Sequence, residues 1–231
     1  MTVSSEPAQL EELVQGPAAD RPVIPQMLHH VAYITYDSEA TADFYTNVMG
    51  MPLVNAVMDD HLPSTGDRTP YFHTFFRMFD GSTLAFFESP GLPPIPDVPT
   101  PAFKNFNHIA LEVPTRADVD HWQAWLEHNG VEVRAVDHGI IYSLYFSDPN
   151  DVRLEITATM VESWNDQAKV AAETLSEWIR VKASAGADGD DVDRLLRQVI
   201  ARHAHQASLH GQRNNGSDST SDRMDTDILP Q

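Results

Sequence analysis

Leu28-His29-His30-Val31-Ala32 is answered 78 residues later by Phe106-Asn107-His108-Ile109-Ala110, and the same step carries Phe44 onto Trp122. The surrounding texture repeats too. Residues 27–35 alternate in polarity, residues 38–49 have helical spacing that stops at Gly50 and Pro52, and residues 53–58, 71–79 and 83–88 read as strands. Asp80-Gly81 serves as the hairpin connection. From residue 106 the order begins again: an alternating run to 113, a helix over 116–129 ending at Gly130, then strands at 131–136, 141–147 and 152–158. Self-similarity of this kind predicts an α+β fold of two βαβββ modules in tandem, residues 27–90 and 105–158, that together form a curved mixed sheet. The first module is longer: His30 precedes Glu88 by 58 residues and His108 precedes Glu155 by 47, a difference matched by the turn-rich insertion at 59–70.

The flanks are simpler. Residues 1–26, with Pro7, Gly16, Pro17, Pro22 and Pro25, read as a flexible leader, and the prolines of residues 89–101 as a stiff extended linker. Helical periodicity over 161–183 and 191–208 defines an appendix spanning 161–209, expected to cover the module surface or to make a homodimer contact. The Asn-, Ser-, Asp- and Gly-rich stretch 210–231 is expected to be a disordered tail.

The 231 residues include 34 Asp and Glu against 15 Lys and Arg, a formal net charge of −19. Residues 27–160 carry 18 of the acids and six of the bases, so the excess belongs to the folded core. Such a surface argues against nucleic acid and anionic membranes as partners. Glu6, Glu11 and Glu12 stand where a secretory signal would be basic, and no apolar run approaches membrane-spanning length, so a cytoplasmic protein is expected. With no cysteine in the chain, any metal must be held by His, Asp or Glu.

The repeat supplies such a set: His30 and His108 on the first strands of the two modules, Glu88 and Glu155 on the last. Period-two alternation puts His30 with Ala32 and Ile34, and Glu155 with Arg153 and Thr157, on polar faces opposite aliphatic ones. Paired modules would aim all four into one concave space. Two imidazoles with one or two carboxylates suit Fe(II), Mn, Co, Ni or Zn, and two His plus one carboxylate leaves positions open for a substrate. Tyr71, His73, Phe75 and Arg77 share one strand face; His73, Arg77 and Ser143 are candidate substrate contacts.

Over residues 27–158 the chain resembles the vicinal oxygen chelate superfamily, which includes glyoxalase I, extradiol ring-cleaving dioxygenases and the fosfomycin- and bleomycin-resistance proteins. The resemblance lies in the two His-bearing openings, in Phe44-Tyr45 and in Met49-Gly50-Met51. It implies paired modules around one metal ion, with His30, Glu88, His108 and Glu155 at ligand positions and His30 preferred to His29. The run from His138 through Tyr145 and Asp148-Pro149 to Glu155 is similar to the extradiol dioxygenase motif, with Asp151 where that motif has Gly or Pro. By that resemblance His138 would exchange a proton, Tyr145 would hydrogen-bond the oxygen intermediate or substrate, and the cofactor would be Fe(II), with a catechol-like aromatic and O2 as partners.

Two features point elsewhere. Gly81-Ser82-Thr83 precedes Leu84-Ala85-Phe86 where many extradiol enzymes have a catalytic His, and Glu88 fills the fourth-ligand place that glyoxalase I uses. A glyoxalase-type lyase or isomerase is therefore the alternative enzyme, although the few core bases suit glutathione poorly. A resistance-type protein that binds a small molecule without turnover is the alternative from another class.

Overall fold

The computed structural model describes residues 25–94, 101–185 and 191–202. Two compact units divide the chain, Asp20–Trp164 and a second that includes Asn165–Gln231. In the first, β1 (His30–Ile34) leads into helix α1 (Ser38–Asp43), which continues as one π-helical turn over Phe44–Val48. Strands β2 (Leu53–Asp59), β3 (Tyr71–Arg77) and β4 (Thr83–Glu88) complete the first module. A short helix α2 (Pro101–Phe106) precedes β5 (Ile109–Glu112), α3 (Arg116–His128), β6 (Arg134–Asp137), β7 (Ile141–Ser147) and β8 (Arg153–Thr159).

The predicted repeat is present as two four-stranded mixed sheets with the same order, β1-β4-β3-β2 and β5-β8-β7-β6. In each, the first strand runs parallel to the last and the other pairs are antiparallel. Local chemistry explains the boundaries. Asp37 accepts from the Ala40 N–H to start α1, and Thr115 and Asp118 form a reciprocal capping box on α3. Gly50 and Gly130, at φ +68° and +75°, follow the two helices in the left-handed conformation that glycine tolerates.

Alternation sorts the side chains. Phe76, Leu84 and Phe86 in one sheet and Leu144, Phe146, Leu154 and Ile156 in the other face the helices and merge with Phe44, Tyr45, Val119 and Leu126 into a single apolar core. Polar links cross between the modules at this face. Tyr45 donates to Asp148 at 3.0 Å, Asn150 Nδ2 to Thr41 at 3.1 Å, and the Trp125 indole N–H to the Val48 carbonyl at 2.8 Å. The opposite faces carry the candidate site.

Several expectations need correction. The strand expected over 106–113 is shorter, because Pro101 opens a helical turn that lasts to Phe106; the linker thus ends in helix α2, and residues 95–100 lie outside the described ones. His108 consequently stands just before β5 and not on it. The appendix helix begins at Ala168 instead of 161 and forms α4 (Ala168–Ala185), followed by α5 over 191–202. In this second unit Ala172 and Val181 are buried, and an Arg202–Glu177 ion pair at 3.4 Å joins the two helices. The leader up to residue 24 and the tail fall outside the described residues. Among the described residues no helix is long and apolar enough to cross a membrane.

Candidate metal centre

Strand register decides which carboxylate belongs with the histidines. In the first sheet His30 is level with Thr83, and Ala32 with Ala85. In the second, Ile109 is level with Leu154, so His108 stands one step earlier, level with Arg153. Two residues beyond each level, Glu155 in the second module therefore corresponds to Ala85 in the first. Glu88 lies three positions further along and shares the parity of Leu84 and Phe86, the helix-facing side. Its carboxylate accepts from the Ser38 N–H at 2.8 Å, at the start of α1, where negative charge also complements the helix dipole. Glu88 is expected in the ligand set from the sequence; the structure places it at the N-terminus of a helix, on the helix-facing parity of β4 and not beside Ala85. Glu88→Ala is expected to cost about 1 kcal/mol of stability, read from urea unfolding, and to leave metal content unaffected.

The second module assembles the rest. Glu155 is 2 % exposed; one oxygen lies 2.9 Å from His108 Nε2, while the other, Oε1, is buried with no hydrogen-bond partner. Tyr145, level with Glu155 on β7, packs its ring edge-on against His108 at 5.7 Å between centroids. Its hydroxyl is 3.1 Å from His138 Nε2. Burial pushes the Tyr145 phenol up, and the nearby Glu155 charge adds to this. His138, Tyr145, Glu155 and His108 thus form one continuous line of polar groups.

On the first module's corresponding face His30 sits among aromatics: Phe75 at 5.8 Å and His73 at 6.5 Å, with His73 stacked on Phe87 at 3.5 Å. His29 and His30 share a hydrogen bond between their Nδ1 atoms at 2.7 Å. Burial, and secondarily the neighbouring His30, hold His73 below the usual imidazole range, and its Nε2 has no partner. Arg77 is exposed in the row of His30 and Thr83. Ser143, an expected substrate contact, is fully buried with its hydroxyl 3.0 Å from that of Thr157.

His30 does not come within 4.8 Å of both His108 and Glu155; among the described residues Asp59, Asp60 and His61 are the group of three that close. Those three are consecutive, exposed and satisfied locally, since Asp59 accepts from the next two backbone N–H groups and His61 pairs with Asp60 at 2.6 Å. Glu155 is the better candidate because its burial is uncompensated. A carboxylate with a shielded, unpartnered oxygen is costly unless a cation neutralises it, so Glu155 and the His108 beside it fit a divalent metal, while the structure does not bring His30 into ligand distance of both.

Residues 27–156 match the family model described as the Glyoxalase/Bleomycin resistance protein/Dioxygenase superfamily, and the chain belongs to that superfamily. A curated relative, "Putative ring-cleaving dioxygenase MhqA" of Bacillus subtilis (strain 168), is 28 % identical over 139 residues, which are 57 % of this chain and 40 % of that protein. The chain thus spans about two fifths of the length of that relative. Among solved structures, a glyoxylase/bleomycin resistance protein/dioxygenase domain from Frankia sp. EAN1pec is 16 % identical, with 59 % of this chain and 99 % of that one covered at a TM-score of 0.48. The fosfomycin resistance protein FosX from Listeria monocytogenes, solved with Mn(II) and sulfate, is 22 % identical, with 60 % and 97 % covered at a TM-score of 0.42.

Proposed function

We propose that the chain is a mononuclear metal-dependent enzyme, an Fe(II) extradiol-type dioxygenase that cleaves a catechol-like ring with O2. The observation that carries this reading is the asymmetry of the two modules: a carboxylate at Glu155 and an alanine at Ala85. His30, His108 and Glu155 then make two imidazoles and one carboxylate, which leaves positions for two diol oxygens and O2. A glyoxalase-type site needs a carboxylate from each module, and Ala85 supplies none. Similarity to a protein named as a ring-cleaving dioxygenase supports the same choice.

His30, His108 and Glu155 would hold the metal. When bound, Fe(II) supplies Lewis acidity toward the diol oxygens and a redox-active position for O2. The remaining work falls to the chain. The aromatic wall of Tyr71, His73, Phe75 and Phe87 stacks against a planar ring and excludes water from it. The Tyr145 hydroxyl would donate a hydrogen bond to a substrate oxygen, and His138, hydrogen-bonded to that hydroxyl, would accept or return its proton. Both atoms of O2 end in the ring-opened product, so no external reductant is needed.

Oxygen uptake by the Fe(II)-loaded protein over a panel of catechols, followed by the yellow ring-fission product, is the test. Stoichiometric uptake with product is expected. Absence of uptake in protein that has bound one Fe(II) per chain would sink the proposal.

A further inference from the structure

Among 18 acids, residues 27–160 contain six bases: Arg68, Arg77, Lys104, Arg116, Arg134 and Arg153. Lys104 is paired with Asp151, and Arg116 with Asp137 at 3.1 Å. Arg134 and Arg153 form no ion pair among the described residues, yet both stand beside the candidate centre. Arg153 shares the face of Glu155, two residues away, and its guanidinium carbon lies 4.7 Å from the centroid of the Tyr145 ring. Arg134 is level with Tyr145 on the other side, on β6. The two arginines therefore flank the tyrosine whose hydroxyl meets His138.

Both also border a cavity of about 550 Å3 that Phe44, Asn105, Tyr145 and Ser147 help to line. Of the acids at its border, Asp148 is bound by Tyr45 and Asn150, and Glu132 is exposed. Arg153 Nε is buried and has no hydrogen-bond partner. A guanidinium fixed over a ring, with a shielded unpaired donor, is arranged to receive a bidentate anion. In a segment of net charge −12, these two guanidinium groups are a local concentration of positive charge with no ion pair among the described residues.

We propose that Arg153, with Arg134, forms an anion subsite beside Tyr145 that takes a carboxylate carried on the aromatic substrate, so that the preferred substrates are ring diols bearing a carboxylate. The diol half of this assignment rests on the ring-cleaving reading; the anion subsite does not. A planar carboxylate matches the guanidinium fork, which a lysine ammonium cannot reproduce.

Calorimetric titration of the full chain with benzoate, benzyl alcohol and inorganic phosphate separates the two halves, using wild type, Arg153→Met, Arg153→Lys and, as an independent variant, Arg134→Gln. Benzoate is expected to bind at least about 10-fold more tightly than benzyl alcohol, and Arg153→Met to lose about 10- to 100-fold of that preference. Arg153→Lys should recover it only in part, and Arg134→Gln should reduce it about threefold. In turnover, the ratio of kcat/KM for carboxylated over neutral catechols should fall in Arg153→Met by the same factor. Equal binding of benzoate and benzyl alcohol, an Arg153→Met loss shared by both, or phosphate bound more tightly than benzoate would each overturn the subsite. If no catechol is consumed while benzoate binding still depends on Arg153, ring cleavage fails and the subsite stands. If neutral catechols are cleaved as well as carboxylated ones in every variant, the subsite fails and ring cleavage stands.

Discussion

Glu155→Gln is expected to remove Fe(II)-dependent stabilisation and to lower ring-cleaving turnover on the order of 1000-fold, without destabilising the metal-free protein. The carboxylate is 2 % exposed, and His108 meets only one of its oxygens. In metal-free protein the second oxygen is a buried charge without a partner, so a neutral amide of the same shape leaves the fold at least as stable. The cation loses an anionic ligand by the same change. Wild type should gain about 2.7 kcal/mol at a metal concentration 100 times Kd, whereas the variant should gain almost nothing at that concentration. Anaerobic thermal melts with and without Fe(II) read both effects. A variant raised by Fe(II) as far as wild type would show that Glu155 is not a ligand.

Asp148→Ala should cost about 3 kcal/mol of stability in urea unfolding, more than any other polar substitution considered above. Asp148 is buried in the turn between β7 and β8, where Oδ1 accepts from the backbone N–H groups of Asn150 and Val152, each at 2.8 Å. Oδ2 accepts from the Tyr45 hydroxyl of the other module at 3.0 Å and from Asn150 Nδ2 at 3.1 Å. Truncation strands the two backbone N–H groups and the Tyr45 hydroxyl, and the shape-conserving Asp148→Asn turns an N–H2 group toward some of these donors. Tyr45→Phe in the Asp148→Ala background should add less than its own single cost, because the two residues share one interaction.

The pH dependence of Asp148 has a definite sign. Burial, the largest cause, raises its carboxyl above the ordinary 3.8, so over that interval the folded chain binds the proton more tightly than the unfolded one. The stability this contributes is fully present below 3.8 and is lost as pH rises through the folded value. Asp148→Asn should flatten that segment of the stability profile while leaving the rest of its shape intact. A profile identical to wild type would mean that the carboxyl titrates alike in both states.

Much of the fold is legible in the sequence alone. The recurrence of the His-bearing opening at a step of 78, the helix stops at Gly50 and Gly130 and the period-two faces of β1 and β8 follow from local rules, and the matching sheet orders agree with them. His138 and Tyr145 enter through the resemblance to the extradiol motif, and their contact at 3.1 Å follows from a hairpin that holds β6 against β7. The sequence matches Glu88 with Glu155 because each lies on the last strand of its module, whereas strand register sets Ala85 in the place of Glu155.

Sequence by itself therefore determined the module repeat, the alternation of faces and the restriction of any metal site to His and carboxylate, because each depends on residues close together or on composition. Only the tertiary structure decided that Ala85 stands in the place of Glu155 while Glu88 meets Ser38, that the Ser143 hydroxyl lies on Thr157, and that Arg153 lies across Tyr145 with no ion pair among the described residues. Those outcomes are set by hydrogen-bonded register between strands distant in the chain, where a shift of one residue turns a side chain from the cleft to the core.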